Sequence, residues 1–227
     1  MTPGLKARYP NLKGFLFIVT YGRSGSTVLQ SILQAIPGAH ISGENYNALF
    51  GLQQAVTSVR RTKRMWGQKP RAQNHPWYMA DCINPDKFAN SVMKLFIDEV
   101  IQPPTDATWI GFKEIRYTQT DNKLEPLLDF MRNRFPNSFI VFNSRRVDDV
   151  VKSKWWARQP VDHVTALVTD MDKKFAEYAE KHPGRCFHVR HEETVLGAGN
   201  LDPIFEAIGE RPAEEAIKSI LSTKLNH

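Results

Sequence analysis

Unbroken apolar runs alternate along this chain with stripes at helical spacing. Phe15–Thr20 (FLFIVT) is an apolar run ending on a small polar residue, the pattern of a strand buried on both faces of a parallel sheet. A glycine-rich turn follows, Tyr21–Ser26 (YGRSGS). Val28, Leu29, Ile32, Leu33 and Ile36 then recur at helical spacing until Pro37-Gly38 ends the pattern. Strand, glycine loop and helix in that order open a phosphate-binding βα unit. Ile41–Glu44 reads as a short strand or its end. Asn90–Ile101 predicts a helix with Val92, Leu95, Phe96 and Val100 on one face. Trp109–Ile115 predicts a strand, Lys123–Phe135 a helix and Phe139–Asn143 (FIVFN) a second buried strand. Helices are predicted over Asp148–Ala157 and His163–His182, the latter with Val164, Leu167, Val168, Met171, Phe175 and Tyr178 as its inner stripe. Arg185–Val189 offers the last strand, ahead of helices around Ile204–Ile208 and Glu214–Leu221. Residues 45–88 are rich in Arg, Lys, Gln, Asn and Pro, and no periodicity assigns them.

Alternating strands and helices predict an α/β fold of three layers, α/β/α, around a central parallel sheet. Such sheets bind ligands at the carboxyl ends of their strands, so chemistry is expected just after Thr20, Phe112 and Asn143. The 227 residues fit a single domain over 1–227 with one sizeable core, and 41% hydrophobic residues with five tryptophans fit a globular chain. No apolar run approaches the length of a membrane span, and MTPGLKARYPNLKG lacks the apolar stretch of a secretory signal. Cys82 and Cys186 are too few for a disulfide framework and have no partners at zinc spacing. A cytoplasmic protein with two reduced, buried thiols and no metal is expected. Thirty basic against 24 acidic residues give a formal charge of +6. That excess suits a polyanionic partner, either a nucleotide with several phosphates or a nucleic acid, without choosing between them.

The candidate chemistry starts in the first loop. In Tyr21-Gly22-Arg23-Ser24-Gly25-Ser26-Thr27 the glycines permit close approach, and successive amides with the helix N-terminus can face an anion. Ser26 and Thr27 add hydroxyls and Arg23 a fixed charge. An ordinary strand–helix turn also uses Gly and Ser, so the loop alone leaves that reading open. The ATP-binding pattern G-x-x-x-x-G-K-[ST] is not met, because no lysine precedes Ser26 or Thr27. Phe139–Asn143 runs into Ser144-Arg145-Arg146 rather than an acidic residue for Mg²⁺, which argues against an ordinary nucleotide triphosphatase.

Tyr21–Thr27 resembles the 5′-phosphosulfate loop of the sulfotransferases that use 3′-phosphoadenosine 5′-phosphosulfate (PAPS), in the GRSGST form of carbohydrate and bacterial members. Cytosolic aryl and steroid enzymes carry a lysine where this chain has Arg23. The family's second signature is an arginine followed eight residues later by a serine, both on the 3′-phosphate. Arg145 and Ser153 stand at that spacing; Asp149 matches a frequent aspartate, while Val147 replaces the usual proline. The resemblance spans roughly Phe15 to Val195. It implies a P-loop NTPase-like sulfotransferase fold and nucleotide binding by Gly22, Arg23, Ser24, Gly25, Ser26, Thr27, Arg145 and Ser153. PAPS is the implied cosubstrate, 3′,5′-adenosine bisphosphate the product, and the acceptor a hydroxyl of a carbohydrate or other small molecule. No nucleic acid and no metal are implied as partners.

Sulfuryl transfer needs alignment and stabilisation of developing charge. Arg23 is the first candidate cation, and Lys113, at the end of its strand, the second, because several family members place a lysine there. A surface lysine at a strand end is the alternative for Lys113. For the acceptor's proton the resemblance points to Glu44 of Ser42-Gly43-Glu44, as in branches that use a glutamate after the first helix, with some desolvation expected. A structural salt bridge is the alternative for Glu44, and His40 is the rival base. Arg60–Arg71 (RRTKRMWGQKPR) reads as a nucleic-acid or acidic-glycan patch, a cover for the acceptor or nucleotide, or a solvated run. Trp155-Trp156 reads as core packing or as a wall of the site. Arg190-His191-Glu192-Glu193 resembles the family's Arg-Tyr-Glu segment, a structural junction. The Arg-Lys-Gly element that closes over the 3′-phosphate in aryl enzymes has no counterpart, so the nucleotide's lid stays unassigned. Two readings compete with this one: a P-loop nucleotide or small-molecule kinase, and a basic nucleic-acid-binding module using Arg60–Arg71.

Overall fold

The computed structural model describes residues 3–223. Five parallel strands, β1 (Gly14–Thr20), β2 (Ala39–Ser42), β3 (Trp109–Glu114), β4 (Ser138–Ser144) and β5 (Cys186–Arg190), form one sheet in the order β2-β3-β1-β4-β5. The central strand β1 is buried at every position, as its continuous apolar run requires. Its side chains alternate between the two faces. Phe15, Phe17 and Val19 enter one core with Phe112 and Phe142, whereas Leu16 and Ile18 enter the other with Val141 and Val189.

Helices cover both faces. The Phe15 face packs against α3 (Ala48–Trp66), α4 (Pro85–Leu95), α5 (Leu124–Arg134), α6 (Val147–Val151) and α7 (Val161–Lys181). The Leu16 face is covered by α2 (Ser26–Gln34), α9 (Asp202–Ile208) and α10 (Glu214–Ser222). A short α8 (His191–Thr194) follows β5, and α1 (Pro3–Arg8), which no sequence pattern announces, buries Leu5. This is the three-layer α/β/α architecture expected. Among the described residues no helix is long and apolar enough to cross a membrane.

Several local expectations need correction. The helix expected over Asp148–Ala157 stops at Val151; Lys154 takes a left-handed φ of 42°, and a 3₁₀ turn covers Trp156–Arg158. Trp156 is buried and its indole N–H donates to the Gly22 carbonyl (2.8 Å), so tertiary anchoring draws the chain off a helical path. Residues 96–101 form a π-helical turn after α4. Its wider turn rotates the inner face, so that Ala89, Val92, Met93, Phe96, Ile97 and Ile101 are buried while Leu95 and Val100 are exposed. Cys186 is buried as expected, but Cys82 is exposed.

Candidate functional site

The carboxyl ends of all five strands open onto one cleft of about 670 Å³. Gly22, Arg23, Gly25, Ser26 and Thr27 reach it after β1, Glu44 after β2, Lys113 at the end of β3, Arg145 after β4 and His191 after β5. Of the nucleotide-binding residues and the candidates Glu44, Arg23 and Lys113, only Ser24 and Ser153 lie off its lining. Ser24 is fully buried, its hydroxyl accepting from Thr20 Oγ1 (2.7 Å) and its carbonyl accepting from Asn143 Nδ2 (2.9 Å). Ser153 touches the site through Arg23, whose Nε donates to its hydroxyl (2.8 Å).

The loop is built around a backbone that L-residues rarely adopt. Gly25 has φ 78°, and a Cβ there would lie 2.3 Å from His191 Nδ1, so only glycine fits between the loop and that ring. Arg23 is left-handed too, at φ 67°, a costly conformation for a side chain with a Cβ. Two contacts hold it: the bond to Ser153, and Arg145 Nη1 donating to its carbonyl (3.3 Å). Helix α2 begins at Ser26 with no side-chain cap and no acidic residue in its first turn. Its leading amides therefore keep their capacity for an anion.

The second loop is locked to the first by Tyr21. Its hydroxyl accepts from the Arg145 amide (3.0 Å) and donates to the Arg145 carbonyl (3.2 Å), and burial, then Asp172, push its ionisation upward, keeping it neutral. Beyond the bond to Arg23, the Arg145 guanidinium has an unpartnered Nε, 3.9 Å from Asp149. A cation with unspent donors beside a glycine loop and an uncapped helix suits a multiply charged anion.

Across the cleft stands a charge cluster. Glu44 Oε1 accepts from Lys113 Nζ (2.8 Å) and Oε2 from Arg116 Nη1 (2.9 Å). The Lys113 side chain is 9% exposed and that of Glu44 31%. His40, the rival base, is off the cleft with Nε2 3.2 Å from the Ile101 carbonyl. Behind Glu44 lies Glu114, which sequence reasoning missed. It is fully buried and accepts from the amides of Asn45 (3.0 Å), Asn47 (2.7 Å), Ile115 (2.7 Å) and Arg116 (3.0 Å). Burial raises its pKa, but the amides and Arg116 outweigh that and leave it below the ordinary carboxylate value. Arg116 Nη1 bridges Glu114 (3.0 Å) to Glu44. The only sequence signal is adjacency to Lys113 at a strand end. Trp155 and Trp156, adjacent in sequence, part company: Trp156 is core, whereas Trp155 is exposed, lines the cleft and packs on Gly22.

Partly buried histidines give this end of the sheet a pH dependence. Burial, and secondarily Arg145, push His191 below the ordinary imidazole value of 6.5. Burial also lowers His188, whose Nε2 lies 2.6 Å from Ser144 Oγ, opposed by Asp172 and assisted by Arg190. Both take up protons more readily in the unfolded chain, so their contribution to stability is full above 6.5 and is lost as pH falls through the lower folded values. The melting temperature should therefore drop as pH is lowered from 7.5 towards 5.5, as roughly that window follows from linkage. His188→Asn should flatten the drop, and scanning calorimetry across that range reads it.

The sequence profile of the sulfotransferase family matches residues 16–209. No curated protein matches the chain. The chain is similar in structure to a crystallised sulfotransferase from Mycobacterium tuberculosis H37Rv, with TM-score 0.48, 12% identity, and coverage of 96% of this chain and 75% of that one. A family match over most of the sequence, including both loops and the charge cluster, shows that the chain belongs to the sulfotransferase family, whose activity is sulfuryl transfer.

Proposed function

We propose that the protein transfers a sulfuryl group from PAPS to a hydroxyl of an acceptor, a carbohydrate or another small molecule, with Glu44 as the base. The observation that carries this reading is the single cleft in which an anion-binding loop, a partly unpartnered arginine and a carboxylate–lysine pair face one another. The residues fit the nucleotide: Gly25 leaves no room for a side chain, the amides of α2 are uncapped, and Arg23 and Arg145 supply charge at two points for two phosphate groups.

PAPS supplies a sulfuryl group on a good leaving group: the bond from sulfur to the phosphate oxygen breaks, one to the acceptor oxygen forms, and the hydroxyl proton must be taken up. Glu44 is the acceptor for that proton. Its Oε1 is paired with Lys113, so the pair must open or share for the carboxylate to act. Lys113 is a flexible point charge and can turn from Glu44 towards negative charge growing between sulfur and phosphate. Arg23, fixed by Ser153, cannot swing in this way and serves as a stationary cation. Arg145 orients the nucleotide through its 3′-phosphate, and Arg116 keeps Glu44 in place when Lys113 leaves.

Thermal shift is the first test: 3′,5′-adenosine bisphosphate should raise the melting temperature and ATP–Mg²⁺ should not. Labelled PAPS offered with sugars, lipids and phenols then identifies the acceptor class. Arg145→Ala should abolish the preference for PAPS over adenosine 5′-phosphosulfate. Ser153→Ala should weaken it by about 1.5–3 kcal/mol, the range for a hydrogen bond to a charged group. Unchanged preference in both variants, measured by calorimetric titration, removes these residues from the 3′-phosphate site.

A further inference from the structure

The basic run Arg60–Arg71 takes no part in the cleft. It forms the last turns of α3 and the start of the loop leading to α4. Residues 60–79 contain six basic side chains (Arg60, Arg61, Lys63, Arg64, Lys69 and Arg71) and no Asp or Glu, a charge of +6. That equals the formal charge of the whole 227-residue chain, so all the remaining residues together are neutral. Arg61, Arg64 and Lys69 are exposed and form no ion pair among the described residues. Arg60, also exposed, lies 3.6 Å from Asp86.

The same segment exposes large apolar side chains. Met65 (53%), Trp66 (36%), Trp77 (38%), Tyr78 (46%) and Met79 (49%) are all open to solvent within fifteen residues of sequence. Trp66 and Trp77 stack in parallel, with centroids 5.3 Å apart and an interplanar angle of 4°, which ties the loop to the helix end. Single exposed hydrophobics need no explanation, but a cluster of two indoles, a phenol and two thioethers set among unpaired cations does.

We propose that this face docks on an anionic lipid bilayer, with Trp66, Trp77, Tyr78 and the two methionines at the boundary of headgroups and acyl chains and Arg61, Arg64 and Lys69 on the lipid phosphates. Indole and phenol rings, each with an apolar body and a polar handle, favour that boundary. Lysine and arginine extend apolar stems along it and keep their charges at the phosphates. A nucleic acid would satisfy the cations but gives the methionines nothing. The two indoles already occupy one face of each other, which leaves less ring for bases. The protein would lie on the membrane rather than span it, in keeping with the absence of a long apolar helix among the described residues.

The full chain should co-sediment with vesicles of phosphatidylcholine and phosphatidylglycerol about tenfold or more better than with phosphatidylcholine alone at low salt. Raising the salt should remove most of that difference. The triple change Arg61→Gln, Arg64→Gln, Lys69→Gln should reduce binding to the phosphatidylcholine level. The double change Trp66→Ser, Trp77→Ser should remove the part that persists in salt. Both variants leave the cleft residues untouched and should keep the increase in melting temperature with 3′,5′-adenosine bisphosphate, even where loss of the indole stack lowers the starting value, so failure here is separable from failure of the cleft assignment. The proposal is overturned if wild-type protein ignores anionic vesicles or if neither variant changes binding. It is equally overturned if a DNA probe binds more tightly than the vesicles and the tryptophan variant retains that binding.

Discussion

Glu44→Gln should lower turnover by about 10²–10⁴-fold, the range for loss of a general base, while affinity for 3′,5′-adenosine bisphosphate stays unchanged. The substitution keeps the shape of the side chain and one oxygen, so a neighbour can still donate to it. It removes the atom that would take the acceptor's proton. Lys113 beside Glu44 is only 9% exposed, but the glutamine oxygen can still accept from the Lys113 ammonium, so the melting temperature should fall only modestly. The measurement is single-turnover transfer from labelled PAPS beside calorimetric titration of the bisphosphate. A folded variant with wild-type turnover would return Glu44 to a purely structural role. His40 could not inherit the task without a rearrangement, because its ring lies off the cleft against the Ile101 carbonyl. Loss of nucleotide affinity together with turnover would mean that Glu44 acts by holding Lys113 in place.

The parts of this site that could be read in the sequence are those where one residue type has one physical use. An apolar run followed by glycines and a helical stripe fixed β1, the loop and α2, and the Arg145–Ser153 spacing located the second loop. The first of the two long helices was illegible for a definable reason. Within α3 only Leu49, Gln53 and Val56 are fully buried, and the apolar residues packed on the core (Ala48, Leu49, Phe50, Leu52 and Val56) all lie in its first half, so no apolar stripe runs the length of this 19-residue helix. The break near Ser153 depends on the Trp156 indole reaching the Gly22 carbonyl, a contact 134 residues away in sequence. His191 against Gly25 and Tyr21 against Arg145 are likewise products of strand order, which brings β1, β4 and β5 side by side. Local pattern cannot announce a partner that only the sheet supplies.

Glu114→Ala should be the most destabilising change at the site, costing about 3–5 kcal/mol, as removal of one partner of a buried ion pair does. The carboxylate is fully buried, and each oxygen serves two backbone amides: Oε2 those of Asn45 and Asn47, Oε1 those of Ile115 and Arg116. Without it four amides and part of the Arg116 guanidinium lose their acceptor in an enclosed space. The chain it restrains is strained, since Tyr46 and Asn47 are both left-handed, at φ 56° and 58°, and neither is glycine. Arg116 also lies over the Tyr46 ring, 4.4 Å from its centroid, so one cation joins the loop, Glu114 and Glu44. Released, the loop should relax and carry Glu44 away from Lys113. Glu114→Gln is a sharper probe, because with both oxygens facing amide donors its new NH₂ group must oppose one of those pairs whichever way the amide turns. It should therefore also destabilise, by less than alanine, and lose turnover while a folded fraction still binds 3′,5′-adenosine bisphosphate. Because the folded carboxyl sits below its ordinary value of 4.5, its contribution is complete above that pH and is lost as pH falls further, so wild type and Glu114→Gln should converge in stability in acid. Urea unfolding of both variants at neutral and acid pH reads the energies, and adding Glu44→Gln to Glu114→Gln reads the coupling. If Glu114 acts through Glu44, the double variant turns over no more slowly than Glu44→Gln alone; fully multiplicative losses would show that the two carboxylates work independently.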